Sequence, residues 1–228
     1  MSKLLNVSSS PHVRCGVSTK NLMYDVAIAM LPATIWGVMQ FGIYSLIVVV
    51  ATVLSCVLSE YLFETLMHKP VTISDGSALV TGMILGLNMP PAIPLWMPIL
   101  GGVFAIIVVK QLYGGLGQNW MNPALAARCF MLISFAQAMT KFTDPVTDAV
   151  ASATPLAAIK AGDTYDLAAM FIGKIPGTIG EVSVIALLIG AAYLLVKKVI
   201  TIRIPAAYIL SFAVFAFIFG QHNINYVL

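Results

Sequence analysis

Long apolar stretches separated by short polar breaks dominate this chain. No charged residue occurs between Val26 and Ser59. A helix that crosses a bilayer needs roughly 20 mostly apolar residues. By that measure the pattern predicts about seven apolar spans: Leu22–Phe41, Tyr44–Phe63, Ile73–Met89, Pro94–Val109, Pro123–Met139, Val182–Val196 and Ile204–Phe219. Gly37, Gln40 and Gly42 mark a turn between the first two. Pro90 and Pro91 end the third, and Pro94 and Pro123 open the fourth and fifth, where proline is tolerated in a first turn. Spans three, four and six are short for a bilayer, so they are tilted, extended into their flanks, or broken. The expected fold is all-α and polytopic, one membrane domain over 1–228 with an N-terminal segment 1–21 and a long polar loop over 140–181.

Composition agrees. Only 9% of residues are charged and 60% are hydrophobic, against about 25% charged in soluble domains. So little polar surface cannot cover a globular core. A soluble enzyme, a disordered chain and a nucleic-acid binder are excluded. The net charge is +3, and its placement reads as topology. With seven spans, one side receives Lys3, Arg14, Lys20, Lys69, Lys110, Lys197, Lys198 and Arg203. The other receives Lys141, Lys160 and Lys174 together with Asp144, Asp148, Asp163, Asp166 and Glu181. The positive-inside rule puts the N-terminus and the Lys197–Arg203 loop in the cytoplasm and 140–181 outside. Docking of a cytoplasmic partner is the other use for Lys197, Lys198 and Arg203. Seven spans do not divide into two equal inverted halves, so either the fold is asymmetric or further helices are expected.

Chemistry is sparse. Cys15, Cys56 and Cys129 form no CxxC pair and His12, His68 and His222 are scattered, which does not suit a metal centre or cluster. Cys56 and Cys129 read as small buried hydrophobes. Long loops in compact chains are often functional, and 140–181 contains Asp148-Ala-Val-Ala-Ser152-Ala-Thr154-Pro155-Leu. Thr154 precedes a proline, which favours extended backbone and display of its hydroxyl; an ordinary capping turn is the alternative. Asp75, among apolar neighbours at the start of span three, is either a helix cap or an ionisable group with a membrane function. Gly82-x-x-x-Gly86 permits close helix contact. In Gly114-Gly115-Leu-Gly117-Gln-Asn119-Trp-Met-Asn122-Pro123, the glycines let backbone approach a ligand. Asn119 and Asn122 offer uncharged polar partners, unless the stretch is only a turn and cap. Arg128 snorkels, pairs with Asp75, or meets a phosphate.

The Asp148–Thr154 segment resembles the flavinylation motif of the membrane subunits of Rnf and Nqr redox complexes. There an Asp lies six residues before an acceptor Thr in an (S/T)-G-A-T sequence. Ala151 and Ser152 depart from that pattern; Asp148, Ala153 and Thr154 match. Ser8-Ser-Ser-Pro-His12-Val-Arg14, the Ile73–Pro91 run and Gly114–Ala124 also resemble Rnf D subunits, so the likeness extends from residue 8 to about 220. The resemblance implies an incomplete five-plus-five inverted repeat in the inner membrane. It implies FMN esterified to Thr154 by a flavin transferase that recognises Asp148, the small Ser152 leaving it access. It also implies a non-covalent riboflavin between the helices, near Asn119 and Asn122. The activity implied is electron relay between ferredoxin and NAD, coupled to Na⁺ or H⁺ movement, alongside other subunits. The B subunit of a Na⁺-pumping NADH:quinone reductase is the near alternative and a urea-type channel the distant one.

Overall fold

A computed structural model describes residues 18–143 and 167–219. Asp148, Ser152 and Thr154 lie outside the described residues. All seven apolar segments are helical, and among the described residues there is no sheet. Helix α1 is Thr19–Phe41 and α2 is Ile43–Leu66. These two are long and apolar enough to cross a membrane; the other apolar helices have 10–17 residues. Ser18 caps α1, its Oγ accepting from Asn21 N at 3.3 Å. The break between α1 and α2 is the single residue Gly42, whose φ of 81° suits glycine. Gly37, expected in the turn, lies inside α1.

A 3₁₀ turn at Ile73–Asp75 leads into α3, Ser77–Leu87. At 11 residues and about 1.5 Å per residue, α3 reaches only about half of a hydrocarbon core. Helix α4, Trp96–Val103, runs on as a π-helix over Phe104–Gln111. Asn122 caps α5, Pro123–Ser134, and Phe135 separates it from α6, Ala136–Met139. Then come α7, Leu167–Ile172, α8, Val184–Val196, and α9, Arg203–Phe219.

The α2–α3 contact is the centre of the bundle. A Cβ on Gly82 would lie 2.6 Å from Val53 Cα, and one on Gly86 3.0 Å from Val49 Cα. The small-residue pair thus lets α3 lie against the backbone of α2, as its spacing predicts. Val48, Val49, Leu85, Met97, Ala127 and Met131 fill the core around this contact. The free carbonyls at the end of α3 need partners away from water. The segment before α8 supplies them: Gly180 N donates to Leu87 O at 2.8 Å and Ile179 N to Met89 O at 3.1 Å. Thr178, Ile179 and Val182 are therefore buried, so part of the stretch expected as an outer loop packs inside the bundle, while Glu181 stays exposed. Helix α8 runs beside α1, tied by Tyr193 Oη donating to Asp25 Oδ1 at 2.8 Å. Cys56 is buried as expected, but Cys129 is exposed, because α5 turns it away from the core residues Ala124, Ala127 and Met131.

Candidate functional site

Two carboxylates at the end of α2, Glu60 and Glu64, stand one turn apart and are buried. Opposite them the π-helical stretch brings the neighbours Lys110 and Gln111 to the same place; such winding is frequent at functional sites. Lys110 is 2% exposed and Glu60 fully buried. Lys110 Nζ donates to Glu60 Oε1 at 2.5 Å and to Ser77 Oγ at 2.6 Å. Gln111 Nε2 donates to Glu60 Oε1 at 2.9 Å and Glu64 Oε1 at 3.1 Å. Thr72 N and Oγ1 donate to Glu64 at 2.9 and 2.5 Å. Ser77 N and Oγ donate to Asp75 Oδ1 at 2.7 and 2.6 Å. One polar network thus joins α2, the 3₁₀ turn, α3 and the π-helix. Glu60 Oε2 is buried without a hydrogen-bond partner.

Lys110 is not a loop cation, as its place at a span end suggested, but half of a buried ion pair. Its four-carbon stem is drawn inward because Glu60 lies across from it. Asp75 is not the N-cap of α3, which is Gly76; it ends the 3₁₀ turn and accepts from Ser77 at the start of the helix. Arg128 meets neither Asp75 nor solvent alone; Nη1 donates to Asn88 Oδ1 at 2.5 Å and Nη2 lies 4.0 Å from Glu181 Oε2. Its partners are at the end of α3, whereas Asp75 is at the beginning.

A cavity of about 310 Å³ adjoins the network, lined by Ser77, Thr81, Lys110, Leu116, Asn119 and Asn122 among others. Gly114, Gly115 and Gly117 all have positive φ, and this lets the loop fold back from the π-helix to α5. Asn122 Oδ1 accepts from Ala124 N and Leu125 N at 3.0 and 3.3 Å, leaving its amide NH₂. Asn119 Nδ2 donates to Met121 O at 2.7 Å, leaving its carbonyl oxygen. The cavity wall therefore offers an amide donor and an amide acceptor, with the Lys110 ammonium bonded to the lining residue Ser77. The pyrimidine edge of an isoalloxazine carries two carbonyl acceptors flanking an N–H donor, so this donor set fits a flavin. Both Asn119 and Asn122 have local structural bonds as well. Among the described residues no His, Cys, Asp and Glu cluster suits a metal ion.

Sequence reasoning singled out the asparagines but missed Glu60, Glu64 and Gln111. A signal existed: an i,i+4 carboxylate pair near the end of one apolar span and a lysine at the end of another.

Packed apolar helices, a half-length helix closed by buried loop backbone and an ionisable cluster inside the bundle define an all-helical protein with two helices long and apolar enough to cross a membrane. The sequence matches the model of the NQR2, RnfD, RnfE family over residues 6–228, and the chain belongs to that family. It is 47% identical over 226 residues to the D subunit of the Na(+)-translocating ferredoxin:NAD(+) oxidoreductase complex of Acetobacterium woodii, covering 96% of this chain and 71% of the relative. The proton-translocating counterpart in Clostridium ljungdahlii is 39% identical, over 95% of this chain and 70% of that one. The D subunit of the ion-translocating oxidoreductase complex of Methanosarcina acetivorans is 31% identical, over 94% and 69%.

Proposed function

We propose that this chain is the D subunit, the membrane flavin subunit, of an ion-translocating ferredoxin:NAD⁺ oxidoreductase complex. The carrying observation is 47% identity across 96% of the chain to a relative of that name. Family membership supports this reading over a urea-type channel. When bound, a flavin supplies one- and two-electron transfer. The protein holds it, orients it and keeps water from it. Thr154 carries FMN through a phosphoester, with Asp148 and Ser152 serving recognition by a flavin transferase. The cavity at Asn119 and Asn122 holds a second, non-covalent flavin such as riboflavin. Ferredoxin and NAD bind other subunits, and either Na⁺ or H⁺ is the coupling ion.

The chain crosses the bilayer seven times, with its N-terminus in the cytoplasm and 140–181 outside. Two observations support this arrangement. Lys197 lies 3.9 Å from Asp25, so the start of α1 and the end of α8 share one side. Seven loop cations still remain on that side after Lys110 is withdrawn, against three on the other.

The test is in-gel fluorescence of the denatured protein. Thr154→Ala removes the covalent flavin signal while the protein still inserts; a signal that persists places the linkage elsewhere.

A further inference from the structure

One wall of the cavity beside the glycine loop carries a buried charge. Lys110 lines that cavity together with Asn119 and Asn122. Its ammonium is fixed by Glu60 and Ser77. An ammonium has three donors, and two are engaged. Ser77 lines the cavity and Glu60 does not, so the ammonium is bonded to one residue of the cavity wall and to one outside it. Two hydrogen bonds of 2.5 and 2.6 Å stop the flexible stem from moving the charge away.

We propose that Lys110 sets the reduction potential of the flavin held in this cavity, with Glu60 moderating how much of its charge is felt. This rests on the reading that the cavity holds a flavin. Reduction builds negative charge on the pyrimidine side of an isoalloxazine. A fixed cation in a low-dielectric interior favours that charged form far more than it would in water. Charge near a flavin's ring nitrogens is a means by which proteins tune it. Lys110 thus raises the potential and makes the site a better electron acceptor.

The test is a spectroelectrochemical titration of the dissociable flavin in the purified complex. Lys110→Ala alone leaves Glu60 uncompensated, so the informative variants are Glu60→Gln, Lys110→Met/Glu60→Gln and Lys110→Arg. Glu60→Gln unmasks the cation and raises the midpoint. The double variant removes it and lowers the midpoint below wild type. Lys110→Arg keeps the charge and stays close to wild type. A tenfold change in preference for reduced over oxidised flavin reads as about 30 mV for a two-electron couple. Unchanged midpoints, or shifts of the same sign in Glu60→Gln and the double variant, overturn the proposal. Loss of flavin from both variants in an intact complex assigns Lys110 to holding the ligand and overturns it too. Failure of all three to assemble marks the pair as a structural strut and equally overturns it. The underlying reading fails separately, if wild-type complex holds no dissociable flavin or Asn119→Leu retains all of it.

Discussion

Lys110 illustrates how far a single residue can be read without its neighbours. A lysine closing an apolar span normally reaches back to water, and nothing local distinguishes this one. Its meaning comes from Glu60, fifty residues earlier in the chain, and pairings at that distance are set by topology. Replacing one member of a buried pair typically destabilises by about 3–5 kcal/mol, because the other charge is stranded. Lys110→Ala should therefore lose about that much in thermal or denaturant unfolding of the detergent-solubilised protein. Lys110→Met/Glu60→Leu should recover most of it; equal losses for single and double variants would show that the pair contributes nothing as a pair. Asn122 needs a different separation, because its side chain both caps α5 and lines the cavity. Asn122→Ala costs about 1 kcal/mol through the lost cap. Asn122→Asp keeps the capping oxygen but not the amide NH₂, so it should fold normally while losing dissociable flavin. Full flavin content in Asn122→Asp would restrict Asn122 to its cap.

Helices were the most legible feature of the sequence. Apolar runs located the seven expected segments, because an apolar stretch bounded by Gly and Pro has few alternatives to a buried or lipid-facing helix; the short helix α7, within the stretch expected as a loop, was missed. How each segment is broken was harder to see. Span three stops at Leu87 as a half-length helix, just before the Pro90-Pro91 pair that marked its end; what the sequence did not show is that backbone from residues 179 and 180 meets the carbonyls of Leu87 and Met89. That is a long-range arrangement without a local mark. The π-helical winding before Gln111 was equally silent. By contrast, Gly82 and Gly86 announced a close approach that the structure contains. Gly82→Ala forces α2 and α3 apart, as its methyl would sit 2.6 Å from the Val53 Cα. Overpacking of this kind costs about 1–3 kcal/mol. Gly86→Ala, at 3.0 Å from Val49 Cα, should cost less. Unfolding midpoints of the two variants give the order directly; a larger loss at Gly86 would contradict this packing.

At the scale of the whole molecule, the outer faces of the helices carry large exposed apolar side chains. Ile28, Leu31, Ile35 and Met39 run along α1, and Tyr208, Leu210, Phe212 and Phe215 along α9. Patches of that extent mark lipid or partner-subunit contact rather than water. The same bundle sorts its charges by end, and the ion pair between Lys197 and Asp25 fixes two of those ends together. Relocating Lys110 into the interior removes one cation from the side that the proposed topology assigns to the cytoplasm without reversing the charge bias, because orientation follows exposed loop charges. Sidedness is then testable with described, exposed positions. Cys15, Cys56 and Cys129 are first replaced, and single cysteines are placed as Lys141→Cys and Thr201→Cys, both at exposed sites. In intact cells an impermeant maleimide should label the Lys141→Cys protein and spare the Thr201→Cys protein until lysis. The opposite pattern would invert the topology. Labelling of both before lysis would place the two loops on one side and require an even number of crossings between them. Thr154 follows Lys141 by thirteen positions in the sequence, so the result also bears on the side at which the flavin proposed for Thr154 would be attached.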